Sequence, residues 1–343
     1  MSPLDPASWP LALLVAAFAV LTVVILLGGT SLTRKADEIA EATGLSAAIV
    51  GGMLLGATTS LSGTIVSITT AFQGQTDLAI GNAIGGIVAQ TAFLTVADAL
   101  HRRGNLEYEA ASISTLMQSM VLIALLSLPL LAMNLPPVSL FAIHPVSPLL
   151  IVVYIAGMRL IDRAEQRPMW RPVPVVRERR RAGTEFPARP PWLGFLLLIP
   201  VAVGAGFALA QVGVALASVT GLSQTAIGAV FTAVVTSLPE LVTAVAAVRR
   251  GALQLAVSGI IGGNAFDVLF LSLSDVAYRE GSLYHAFTGD HVLLIALSIL
   301  MTAVLALGML KRDRFGPARI GFESVLVLLL YLASVARLFA DGG

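Results

Sequence analysis

The chain contains one pattern twice. Residues 44–98 lie without gaps on residues 221–275, at a constant offset of 177 positions. Gly44, Leu45 and Ser46 fall on Gly221, Leu222 and Ser223, and Thr59, Ser60 and Leu61 on Thr236, Ser237 and Leu238. Ile84, Gly85 and Gly86 fall on Ile261, Gly262 and Gly263, and Asp98 on Asp275. At two positions the copies differ in charge: Gly63 faces Glu240, and Gln90 faces Asp267. The fold must therefore consist of two similar halves, with acids of this kind in one of them.

Of the 343 residues 57% are hydrophobic and 12% charged, whereas a soluble domain carries roughly a quarter charged residues. Apolar runs of the length that crosses a bilayer, about 20 residues, start near residues 10, 46, 77, 111, 138, 191, 222, 251, 286 and 318. Lipid-exposed backbone has to satisfy its own hydrogen bonds, and the two-residue alternation of a membrane β-barrel is absent. The expectation is an all-α integral membrane protein of about ten transmembrane helices, arranged as two inverted five-helix repeats. Residues 1–165 form the first half with the repeat 44–98, residues 166–190 a linker, and residues 191–343 the second half with the repeat 221–275. Met1–Pro10 has no Lys or Arg and so lacks the basic start of a cleavable signal, so the first run is expected to stay in the protein. The chain has no cysteine, which excludes disulfides and thiolate metal sites.

Cations fix the orientation, because Lys and Arg collect in short cytoplasmic loops. Arg34 and Lys35, Arg102 and Arg103, Arg249 and Arg250, and Lys311, Arg312 and Arg314 follow the first, third, seventh and ninth runs. All then lie on one side, together with the Arg- and Pro-rich linker. The basic loops are expected in the cytoplasm of a prokaryotic cell and both termini outside the plasma (inner) membrane. An odd number of crossings separates the two copies, which inverts one relative to the other, a construction that builds two access routes around one midplane site. The linker reads as a solvated connection.

Glu240 lies within the apolar run from Ile227 to Val248, and Asp267 within the next. A carboxylate in the middle of a membrane helix costs about 3 kcal/mol on insertion scales, so it faces a cavity and has a task. Thr236 and Ser237 precede Glu240 by four and three residues, placing their hydroxyls on its face of a helix. Pro239 frees a carbonyl one turn earlier. Hydroxyls, carbonyls and carboxylates are hard oxygen ligands suited to calcium or sodium. In the first copy Thr59 and Ser60 keep the hydroxyls, Gln90 supplies a neutral oxygen, and Gly63 contributes no charge. The glycines around positions 81–86 and 259–263 either pack helices closely or bare backbone to the ion. Asp98 and Asp275 read as anchors at helix ends, with an ion relay as the alternative. His144 and His291 read as interfacial.

The segments Gly56-Ala-Thr-Thr-Ser-Leu, Asp77-Leu-Ala-Ile-Gly-Asn-Ala-Ile-Gly-Gly, Thr236-Ser-Leu-Pro-Glu-Leu and Gly259-Ile-Ile-Gly-Gly-Asn-Ala-Phe-Asp resemble the two alpha repeats of the calcium/cation antiporter superfamily, most closely its prokaryotic sodium/calcium exchanger branch. The resemblance covers nearly the whole chain. It implies ten helices and a central metal site with Thr236, Ser237 and Glu240 from helix 7, Asp267 from helix 8, and Thr59, Ser60 and Gln90 from helices 2 and 3. The chain departs from the pattern at Ser62-Gly63, where the family has a Pro-Glu pair. The first alpha repeat is degenerate in that sense, and two acids would balance one calcium against two sodium ions or two protons. The resemblance implies calcium/sodium antiport, with a cation/proton, sodium/proton or potassium-linked antiporter and a non-transporting paralogue as alternatives. An intramembrane acid hydrolase is a further class, disfavoured because neither Gly-x-Ser-x-Gly nor His-Glu-x-x-His occurs. No nucleotide loop of the Gly-x-x-x-x-Gly-Lys type is present, so gradients drive any transport. The expected partners are inorganic cations and the lipid bilayer, with no nucleic acid, no nucleotide and no resident cofactor.

Overall fold

In a computed structural model the protein is described over residues 6–43, 56–101, 104–166, 191–311 and 321–340. The first half holds α1 (Leu11–Thr43), α2 (Gly56–Thr59), α3 (Leu61–Phe72), α4 (Thr76–His101), α5 (Leu106–Ala110), α6 (Ile113–Ala132) and α7 (Val146–Gln166). The second holds α8 (Pro191–Thr220), α9 (Gln224–Thr236), α10 (Leu238–Arg249), α11 (Leu253–Asp267), α12 (Leu269–Ala277), α13 (Gly289–Lys311) and α14 (Phe322–Ala340). Seven described helices are long and apolar enough to span a membrane, and the α9–α10 pair, bent by 44°, makes an eighth if it is one span. Of the other two expected crossings, α3 is short and its preceding residues lie outside those described. The remaining helix, α7, carries Arg159, Asp162 and Arg163. The linker after Gln166, Arg102, Arg103, Arg312 and Arg314 also fall outside the described residues.

The repeat extends well past the segment legible in the sequence. Helix α2 matches Ala233–Thr236 at the end of α9, α6 matches α13, and α7 matches α14, all at the same offset. The turns match too. Gly74 and Gly251, at φ +74° and +78°, close the α3–α4 and α10–α11 hairpins in a left-handed conformation that favours glycine. Gln75 N–H then bonds Thr70 O at 2.8 Å, and Ala252 N–H bonds Ala247 O at 2.9 Å.

Apolar packing divides the molecule into two parts. The larger core joins α4, α6, α7 and α10–α14. A separate cluster, with Leu14 and Ile25 of α1 and Leu209, Val212 and Leu216 of α8, joins these two helices to each other and to α3 and α9. Helices α1 and α8 begin beside Pro10 and at Pro191 as the sequence suggests. Val15, Val20, Val23 and Leu27 of α1 point outward, while Thr, Ser, Asn and Asp side chains fill the interior. Lipid accepts the apolar outer face, while polar groups that need partners are buried beside the apolar cores.

Asp98 and Asp275 anchor helix ends through backbone amides. The Oδ1 of Asp98 accepts from Leu106 N–H and its Oδ2 from Gly321 N–H, both at 2.9 Å. Asp275 repeats the pattern with Leu283 N–H at 2.9 Å and His144 N–H at 2.8 Å, and adds the Ser147 hydroxyl at 2.6 Å. His144 and His291 lie by helix starts, as the sequence suggested, and are enclosed there: they are 2% and 0% exposed. The loops fold over the helix ends: Asp275 draws in the backbone of His144, and the His291 ring bonds Thr225 and Thr288. Asp275→Asn turns an N–H toward a buried donor, which costs about 1–3 kcal/mol per orphaned group. It is expected to lower the melting midpoint in detergent by several degrees, as is Asp98→Asn. Unchanged midpoints for both would refute the anchoring role.

Candidate cation site

Both repeat hairpins break where the site forms. Ser60 (φ −90°, ψ 8°) separates α2 from α3, and its counterpart Ser237 (φ −95°, ψ 0°) separates α9 from α10. Pro239 takes its place in the first turn of α10, where its missing N–H has no helical role. Thr236, Ser237 and Glu240 therefore do not share one continuous helical face, as a straight helix would require. The bend sets the serine at a corner and puts Glu240 in the first turn beyond it.

Five of the expected side chains are linked through hydrogen bonds across the two halves. Gln90 and Asp267 are repeat equivalents, and the Gln90 amide donates to Asp267 Oδ2 at 2.6 Å and to Ser237 Oγ at 3.1 Å. The Ser60 hydroxyl donates to Glu240 Oε1 at 2.9 Å. Thr59 and Thr236 lie beside them, with hydroxyls bonded to Gly56 O and Ala233 O, each at 3.2 Å. Ser60, Gln90, Ser237, Glu240 and Asp267 are all buried. Three oxygens in this group, Glu240 Oε2, Asp267 Oδ1 and Gln90 Oε1, are enclosed and have no hydrogen-bond partner. Buried oxygens of this kind normally find a donor.

The glycines divide between the two roles. Gly86 leaves room for Ser237 Oγ and Asp267 Oδ2, and Gly263 for Gln90 Oε1. Gly81 and Gly85 instead receive the backbone of Thr225 and Ala229. At Gly63 a Cβ would lie 3.1 Å from the Phe270 ring and 3.3 Å from Thr236 Oγ1, so an aromatic edge lies against the place of the absent carboxylate. Among the described residues no three His, Cys, Asp or Glu side chains converge as metal ligands.

The sequence did not single out Asn82 or the walls of the approach. Asn82 donates to Gly63 O and Ser67 Oγ and accepts from Thr232 Oγ1, at 3.1, 2.9 and 2.9 Å, tying α3, α4 and α9 together under the site. Its sequence signals are a polar residue within an apolar run and its place in the repeat segment from Asp77 to Gly86. An open pocket runs from Glu240 and Thr59 to Arg250, with Asp37 of α1 and Gly259 of α11 on its walls. It opens toward the end of the molecule where Arg249 and Arg250 lie.

Comparison with known proteins agrees with this architecture. The family model described as "Sodium/calcium exchanger protein" matches residues 13–159 and 190–340. The putative antiporter CaxA of Alkalimonas amylolytica is 27% identical over 308 residues, covering 85% of this chain and 92% of that protein. The crystal structure of the H⁺/Ca²⁺ exchanger CAX superposes with a TM-score of 0.69 at 12% identity, covering 96% of this chain and 85% of the other. The sodium-calcium exchanger NCX_Mj superposes with a TM-score of 0.60 at 18% identity, covering 95% and 98%.

Proposed function

The chain belongs to the sodium/calcium exchanger protein family, and from that premise we propose that it is a secondary antiporter carrying calcium against sodium through the site around Glu240 and Asp267. The reading rests above all on the three partnerless oxygens of Glu240, Asp267 and Gln90. Each is a hard donor of the kind calcium and sodium prefer, and each is costly to leave unsatisfied. A cation bound at this site would supply the missing partner. Ser60 and the Gln90 amide already hold the other carboxylate oxygens in place. Two carboxylates neutralise one calcium or two sodium ions, so the exchange is electroneutral.

The pocket running to Arg250 corresponds to a state open toward the basic end, which is the cytoplasmic side of a multi-pass inner membrane protein. Movement of the α1–α8 pair over the core would close that route and open the opposite one. The test is calcium uptake into proteoliposomes driven in turn by an outward sodium gradient, a pH gradient and a membrane potential. Sodium-driven uptake insensitive to potential is the expected result. Uptake driven by the pH gradient alone would assign the protein to cation/proton exchange, and no calcium flux under any gradient would overturn the reading.

A further inference from the structure

The two ends of the inverted repeat are built alike except in one place. At the end far from the basic loops, Asp275 holds Leu283 N–H and His144 N–H, while Ser147 donates to Asp275 and so accepts from the Tyr284 hydroxyl at 2.8 Å. The repeat offset pairs Tyr284 with Glu107, Ser147 with Ser324, and Val146 with Glu323. A neutral hydroxyl and a valine at one end thus correspond to two carboxylates at the other.

These carboxylates are enclosed. Glu107 and Glu323 are each 0% exposed, and Asp98 beside them is 1% exposed. Ser324 Oγ donates to Glu107 Oε1 at 3.2 Å, and the Asn105 amide to Glu323 Oε2 at 3.2 Å. Both oxygens of Asp98 are taken by backbone amides. Glu107 Oε2 is buried and has no hydrogen-bond partner. A Cβ at Gly308 would overlap the Glu323 side chain, and the counterpart of Gly308 in the first half is Leu131. The fold has therefore made space for the second acid at this end alone.

We propose that Glu107, packed against Glu323 and Asp98, is a proton-binding site separate from the cation site, and that its proton seats the α4–α6 corner on the start of α14. The proton makes Oε2 a donor, as the Tyr284 hydroxyl is at the other end. Among the described residues, the charged groups facing Glu107 are Asp98 of α4 and Glu323 of α14, both acidic. His101 pairs with Glu109 at 3.3 Å, and Lys311 of α13 lies 4.7 Å above the Phe322 ring. Helix α11, also packed on α5, has only Asp267 as an ionisable residue. Burial first, and then the neighbouring charge of Asp98, push the Glu107 carboxyl up to about 8.

The sign of the effect follows from linkage. An acid whose folded pKa exceeds its unfolded value stabilises nothing by ionising; the folded state loses stability as pH rises from 4.5 to about 8. Glu107→Gln mimics the protonated form and removes that loss. The midpoint of thermal unfolding in detergent is therefore expected to fall more between about pH 5 and about pH 9 for the wild type than for Glu107→Gln. At the upper end the variant should be the more heat-resistant. Parallel midpoints would overturn the proposal. Infrared difference spectra, taken in a Glu240→Gln/Asp267→Asn background that silences the cation site, give a second readout. The carbonyl stretch of a protonated carboxyl group should be present at neutral pH, vanish in alkali, and be missing when Glu107→Gln is added. A band indifferent to Glu107→Gln would equally refute the site, and neither measurement depends on which ions are exchanged.

Discussion

Glu240→Gln is expected to abolish calcium uptake in a protein that still folds. The substituted side chain keeps an oxygen to accept from Ser60, now at 2.9 Å from Glu240 Oε1, so the break between α2 and α3 remains supported. What changes is the second position, where an N–H replaces the partnerless Oε2 and presents a donor to a cation. One of two negative charges is lost as well. A unit charge pair 4 Å apart at an effective dielectric near 20 is worth about 4 kcal/mol, which corresponds to roughly a thousandfold in affinity. Removing a hydrogen bond that only positions a carboxylate, as in Ser60→Ala, costs about 1.5–3 kcal/mol and should leave measurable flux. Radioactive calcium uptake into proteoliposomes, read beside a melting curve for each variant, separates the two. Uptake by Glu240→Gln within tenfold of wild type would remove Glu240 from the site.

Much of this arrangement was legible in the sequence, because an inverted repeat and a carboxylate in an apolar run are both statements about solvent. Lipid excludes charge, so Glu240 and Asp267 had to face inward, and the repeat required Gln90 to sit opposite Asp267. The breaks at Ser60 and Ser237 were not legible. Pro239 hints at the second, but no proline marks the first, and the geometry arises from packing between the two halves. At Gly63 the sequence shows a loss of charge. The structure adds Phe270, whose ring lies against that place, which is a tertiary relation that no local spacing carries. Glu107 and Glu323 were overlooked for a different reason. Charges next to a turn read as solvated, and only folding of the 321–324 backbone onto Asp98 and Glu107 encloses them.

Gly85→Ala should destabilise the protein severely although it adds one methyl group to a helix. On propensity alone the change favours the helix by about 1 kcal/mol. The new Cβ, however, would overlap the backbone and Cβ of Ala229, and backbone cannot rotate aside as a side-chain tip can. The crossing is tight on both sides: a Cβ at Gly81 would lie 2.9 Å from Thr225 O, and one at Gly228 would lie 2.6 Å from Leu78 O. Gly81 and Gly85 form a small-xxx-small face. The α9 segment facing them, Ile227–Thr232, is wound as a π-helix in which Ala233 N–H reaches back to Gly228 O. Such turns need their surroundings to hold them, so separating α4 from α9 undoes the π segment as well as the contact. Overpacking a rigid core costs about 1–3 kcal/mol or more, and here it lies one turn from Gln90, so transport should be lost together with stability. Gly204→Ala is the control, because nothing lies within 4 Å of a Cβ there; it should melt at or above the wild-type midpoint. Equal midpoints for Gly85→Ala and wild type would show that α4 and α9 can part without cost, and with that the packing argument for the site would fail.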